Sequence, residues 1–139
     1  MTHVLVVEDN LLNLELFVDL LTVAGHEVRS CSDAETGIEM ARAAPPALIL
    51  MDIGLPGMDG LQATRLLRQD DRTSRIPIVA VTAHAMKEDE ERVMAAGCDG
   101  YITKPVNTRT FVIELEERFL QSPSAHRPFA LPAQPRTPR

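Results

Sequence analysis

Apolar runs of about five residues alternate along the chain with longer stretches in which apolar positions recur at helical spacing. His3-Val4-Leu5-Val6-Val7 reads as a short buried strand. Leu14, Phe17, Val18 and Leu21 then recur every three or four residues, which predicts a helix capped by Asn10 and stopped by Gly25. Glu27 to Cys31 reads as a second, less apolar strand, and Asp33 caps a second helix that must end by Pro45-Pro46. Ala47-Leu48-Ile49-Leu50-Met51 is a third strand, apolar on both faces. The turn-rich stretch from Gly54 to Gly60 leads into a helix carrying Leu61, Leu66 and Leu67. Ile76 to Val81 is a fourth strand, followed by an acidic helix from about Lys87 to Ala96 that Gly97 stops. Tyr101 and Ile102 belong to a short fifth strand. Asn107 is expected to cap a last helix with Phe111, Val112, Leu115 and Phe119 along one face.

Continuously apolar strands interleaved with amphipathic helices predict an α/β fold, a parallel sheet covered on both sides, with right-handed crossovers. In such a fold the functional residues collect beyond the carboxyl ends of the strands, where the strand order switches. The pattern accounts for residues 1–120 as one domain. Residues 121–139 show no periodicity and hold five of the ten prolines, so they are read as an extended, disordered tail.

Composition narrows the class. The chain has 139 residues, 45% of them apolar and 24% charged, which is ordinary for a soluble globular protein. No apolar run reaches the ~18 residues that membrane insertion requires. The first residues carry neither a basic segment nor a small-residue cleavage site, so a cytoplasmic location is expected. Cys31 and Cys98 are too few for a disulfide scaffold and are expected to be buried thiols. Net charge is −6, unevenly placed. The tail holds Arg127, Arg136 and Arg139 and no acid, leaving 11 basic against 20 acidic residues, or −9, in the first 120. So acidic a domain is a poor binder of nucleic acid, whose phosphates need clustered Lys and Arg.

Five polar positions fall at the predicted carboxyl ends of strands: Glu8 and Asp9 after the first, Asp52 after the third, Thr82 after the fourth and Lys104 after the fifth. Taken singly, each has a plain reading as a helix-opening acid, a turn acid, a strand threonine or a solvated lysine. Taken together, they meet at one edge of one sheet. Three converging carboxylates repel one another unless a proton or a cation intervenes. Oxygen donors with no His or Cys among them suit a hard ion, and Mg²⁺ keeps waters that a phosphoryl group can replace. A carboxylate can attack phosphorus to give an acyl phosphate, with Lys104, the Thr82 hydroxyl and the Ala83 N–H facing the phosphoryl oxygens.

The stretches Val6-Val7-Glu8-Asp9-Asn10, Leu50 to Gly60, Val81-Thr82-Ala83 and Lys104-Pro105 resemble the receiver domain of two-component response regulators. The resemblance covers residues 3 to about 120. Thr82 to Lys87, with Glu90-Glu91-Arg92 and Gly97-Cys98, is similar to single-domain cell-cycle regulators of the DivK type. The resemblance implies a CheY-like, flavodoxin-like (βα)5 sheet in the order 2-1-3-4-5. It implies that Asp52 takes a phosphoryl group from a phosphohistidine. Asp9, Asp52 and the Gly54 carbonyl would bind Mg²⁺ directly, with Glu8 acting through water. Lys104 would pair with the phosphoryl group through a cis Lys104-Pro105 bond, while Thr82 moves toward the phosphate and Tyr101 swings in behind it. The implied partners are a histidine kinase or a histidine phosphotransfer protein, docking near Leu11, Leu12 and Asn13.

No helix-turn-helix or other output pattern follows in the sequence, so the output is expected to be a protein contact, on the face of the fourth helix, fifth strand and fifth helix. A relay intermediate that passes its phosphoryl group on is the alternative. An aspartyl-nucleophile phosphatase would want a second acid two residues after Asp52, where Gly54 stands. A flavin carrier would want a hydroxyl- and glycine-rich loop after the first strand, where Glu8-Asp9-Asn10 would repel phosphate. His84, two beyond Thr82, is expected either to cover the site or to be a solvated loop histidine.

Overall fold

A computed structural model describes residues 3–83 and 87–120. The elements run β1 (His3–Val7), α1 (Leu11–Val23), β2 (Glu27–Cys31), α2 (Ala34–Ala43), β3 (Leu48–Asp52), α3 (Gly60–Gln69), β4 (Ile78–Thr82), α4 (Lys87–Ala95), β5 (Gly100–Thr103) and α5 (Phe111–Phe119). All strand pairs are parallel and the sheet order is β2-β1-β3-β4-β5, as expected.

Because side chains alternate across a strand, the central strands divide their apolar residues between two layers. Leu5, Val7, Ile49, Met51, Ile78 and Ala80 pack under α2, α3 and α4, while Val4, Val6, Leu48, Leu50, Val79 and Val81 pack under α1 and α5. In the second layer the rings of Phe17 and Phe111 stack, with centroids 5.3 Å apart.

The caps follow from local chemistry. Asn10 accepts from the Asn13 amide, Asp33 from the Thr36 amide, and Asp59 with Gln62 closes a capping box at the start of α3. Gly25 (φ +99°) and Gly97 (φ +108°) end α1 and α4 in the left-handed conformation that side chains resist. Arg68, a residue no sequence signal singles out, ties the lower ends of several elements together. Its guanidinium donates to the carbonyls of Gly97, Ser74 and Ile76 and to Asp99 Oδ2, which also accepts from the Ile78 amide.

Several boundaries differ from expectation. Asn107 does not cap α5: its side chain accepts from the Arg109 amide and closes a turn, and the helix starts later, after Thr110, which makes no side-chain cap. The fourth strand starts at Ile78, since Pro77 has no N–H for the ladder and serves it only by accepting from the Ile49 amide. Asp52 and Thr82 are the last residues of β3 and β4, so each of these strands runs one residue further than expected. Of the two thiols, Cys98 is buried but Cys31, on the edge strand β2, is only half-buried. Leu66 lies on the outer side of α3. His84 and the segment 121–139 lie outside the described residues.

Candidate functional site

The register of the parallel sheet brings distant residues together. Val7 is level with Met51, Asp52 with Val81, and Thr82 with Thr103. The residues that end β1, β3, β4 and β5 therefore share one rim. Glu8, Asp9 and Asp52 each place a carboxylate oxygen within 4.8 Å of the others there. Glu8 and Asp52 are buried, while Asp9 is exposed. Lys104, just past β5, reaches in from the far side with Nζ 3.3 Å from Glu8 Oε2 and 3.5 Å from Asp52 Oδ2. Its amide donates to the Thr82 carbonyl at 2.7 Å, which fixes where the side chain starts, and the Lys104–Pro105 peptide is cis.

Backbone amides hold the acids in place. Glu8 Oε2 accepts from the Asn10 amide at 3.1 Å and Asp52 Oδ1 from the Gly54 amide at 3.0 Å. Gly60 packs directly beneath the Asp52 backbone, a contact that no spacing in the sequence revealed. The buried Glu8 Oε1 has no hydrogen-bond partner. An orphaned carboxylate oxygen, beside two more oxygen donors and away from any soft ligand, is a donor set that fits a small hard cation such as Mg²⁺. Without a cation the cluster is strained electrostatically. Burial first, then the neighbouring Asp52 carboxylate, push Glu8 up to about 7.

That shift has a measurable sign. Glu8 ionises near 4.5 in an open chain and near 7 in the fold. Its contribution to stability is greatest below about 4.5, falls as pH rises between the two values and is level above. In a chelator at about pH 8, Glu8→Gln is expected to melt above the parent protein, with the gap closing toward about pH 5. Equal melting temperatures at the higher pH would contradict it.

Thr82 is buried at the end of β4, and Ala83 follows it, exposed. Tyr101 lies on β5 level with Ala80, half-buried against the layer beneath α4. Its hydroxyl sits beside the Glu90 carboxylate of α4. Burial and that carboxylate push the phenol up to about 12. The structure thus joins Glu8, Asp9, Asp52 and Lys104 directly, with the Gly54 amide holding Asp52, and turns the Tyr101 hydroxyl toward α4.

The profile of the response regulator receiver domain matches residues 4–116. The chain belongs to the response regulator receiver family. Among its relatives, the polar-differentiation response regulator DivK of Brucella anthropi is 46% identical over 109 residues, which cover 78% of this chain and 89% of that protein. DivK of Brucella ovis is 45% identical over the same shares. Among solved structures, the receiver domain resembles chemotaxis protein CheY4 of Vibrio cholerae at a TM-score of 0.80 and 27% identity, covering 84% of this chain and 97% of that one. The receiver domain of the Pseudomonas aeruginosa sensor histidine kinase PA1611, with a magnesium ion coordinated in its active site cleft, matches at a TM-score of 0.77 and 33% identity over 83% of this chain and 94% of that one. No helix among the described residues of this receiver domain is long and apolar enough to cross a membrane.

Proposed function

We propose that the protein is a single-domain phosphorylation switch in which Asp52 accepts a phosphoryl group from a phosphohistidine of a histidine kinase or phosphotransfer protein. The observation that carries the reading is the pairing of a buried aspartate with a lysine ammonium 3.5 Å away beside two further acids. Asp9, Asp52 and the Gly54 carbonyl would hold Mg²⁺, with Glu8 through water. When bound, the ion neutralises charge on the phosphoryl oxygens. An Asp52 carboxylate oxygen attacks phosphorus, the new P–O bond replaces the P–N bond, and the donor imidazole leaves with the electron pair. The Lys104 ammonium faces a phosphoryl oxygen as a compact positive charge, and the Thr82 hydroxyl and Ala83 N–H donate to others.

The added dianion then biases a two-state element: Thr82 moves toward the phosphate and Tyr101 leaves Glu90 to follow it inward. The readout is a contact on the face of α4, β5 and α5 with a downstream protein. Gly54 offers no side-chain acid to serve a second substrate, which supports a switch over an enzyme with turnover. The match to DivK over most of both chains supports the single-domain reading.

The test uses a phosphorylated kinase or a small phosphoryl donor with Mg²⁺ and follows label and intact mass. The parent is expected to gain one base-labile phosphoryl group. Asp52→Asn is expected to gain none, and so is the parent in EDTA. Label that persists on Asp52→Asn would remove Asp52 as the acceptor.

A further inference from the structure

We propose that the C-terminal segment, residues 121–139, docks back onto the face formed by α4, β5 and α5 of the same molecule and shields it from other proteins. The face offers acids and apolar side chains, with Arg92 and Arg118 among them. On α4, Glu91 is exposed, Met94 is 39% exposed and Glu90 is half-buried beside the Tyr101 hydroxyl. On α5, Glu114 and Glu117 are exposed, as is Arg118, whose charge acts on the Tyr101 phenol.

The chain leaves the fold at the border of this face. The Phe119 ring, at the end of α5, lies against Gly100, where a Cβ would sit 2.9 Å from its Cζ atom. Gly100 is the first residue of β5, so the described chain ends, at Leu120, beside the lower end of that strand. The nineteen residues that follow carry Arg127, Arg136 and Arg139 with no acid, plus Phe129 and Leu131, while residues 1–120 carry −9. Fully extended, they span about 60 Å at ~3.3 Å per residue, against about 13 Å for the length of α4 at ~1.5 Å per residue. Reach is therefore ample.

Single exposed Arg–Glu pairs stabilise by about 1 kcal/mol at most, so three of them would not recruit a free peptide. Tethering changes the comparison, because a joined segment is present at an effective concentration of about the millimolar range. The five prolines lower the conformational freedom lost on docking. The acids at the end of α3 are less available, since Asp70 is already paired with Arg42 and Arg72. The family match stops at residue 116, so this segment is an addition to the shared domain.

The test compares amide spectra of the full chain with those of the full chain carrying Arg127→Gln, Arg136→Gln and Arg139→Gln, both unphosphorylated, so its result is independent of the phosphotransfer reading. In low salt the shifts between the two are expected at Glu90, Glu91, Met94, Tyr101, Glu114 and Glu117 as well as in the substituted segment. They should vanish in about 0.5 M salt, where charges are screened within about 4 Å, and survive tenfold dilution. Glu114→Lys with Glu117→Lys, made in the parent, should release the segment likewise. Shifts confined to residues beyond 120, or centred on α1 or α3, overturn the proposal. Shifts lost on dilution assign the segment to a second copy and overturn it too.

Discussion

Gly60→Ala is expected to lower the free energy of unfolding by about 1 to 3 kcal/mol and to slow phosphoryl uptake at Asp52. Two effects of opposite sign compete. Alanine is the better helix former by about 1 kcal/mol, and Gly60 is the first residue of α3. Against that, a Cβ at residue 60 would collide with the Asp52 carbonyl oxygen, approach the Ile53 Cα to 2.8 Å and reach the Met51 Cγ at 2.9 Å. The first two are backbone atoms, and no rotamer change moves them. Either α3 backs away from the sheet or the residues after β3 are pushed toward the acidic rim. The second response displaces Asp52, the proposed acceptor, so destabilisation and slower phosphorylation should appear together. Urea melts followed by far-ultraviolet circular dichroism read the first, and time courses of labelling read the second. A variant as stable as the parent would show that the close approach is not tight in solution.

Phe17→Ala is expected to cost about 3 to 5 kcal/mol, the range for emptying a fully buried aromatic site. Phe17 is 1% exposed and stacks on Phe111 with the planes 20° apart, so it joins α1 to α5 over the sheet. Loss of the ring removes that stack, itself worth about 1 kcal/mol, and leaves a cavity between two helices that the sheet cannot fill. Both rings belong to the layer under α1 and α5, so the folded fraction should still take up phosphate at the parent rate. A loss under about 1 kcal/mol in urea melts would show that the layer repacks around the gap.

The sequence is most legible where period and chemistry agree. Strands β1 and β3 are apolar on both faces because both faces are covered, and the apolar positions of α1 and α5 repeat at helical spacing because only one side is. Once those strands are parallel, the acids that follow them must share a rim, which is why Glu8, Asp9, Asp52 and Lys104 could be grouped before any coordinates. What the residues alone do not disclose depends on contacts between distant backbones. The clash surface under Gly60 requires knowing how closely α3 approaches the end of β3. The carbonyls that Arg68 gathers belong to segments far apart in the chain. Asn107 looks like a helix cap because its residue type suits both a cap and a turn, and only the local backbone distinguishes them. The Tyr101 hydroxyl's place beside Glu90 likewise follows from the packing of α4 on β5.

Arg68 has a mechanical consequence. By fastening α3 to the segments that enter β4 and β5, it makes the end of the molecule remote from the acids a fulcrum. A small displacement of Thr82 and its neighbours at the opposite rim then has a fixed point to turn about. In the proposed switch the strands and helices would act as levers, with travel growing with distance from that guanidinium.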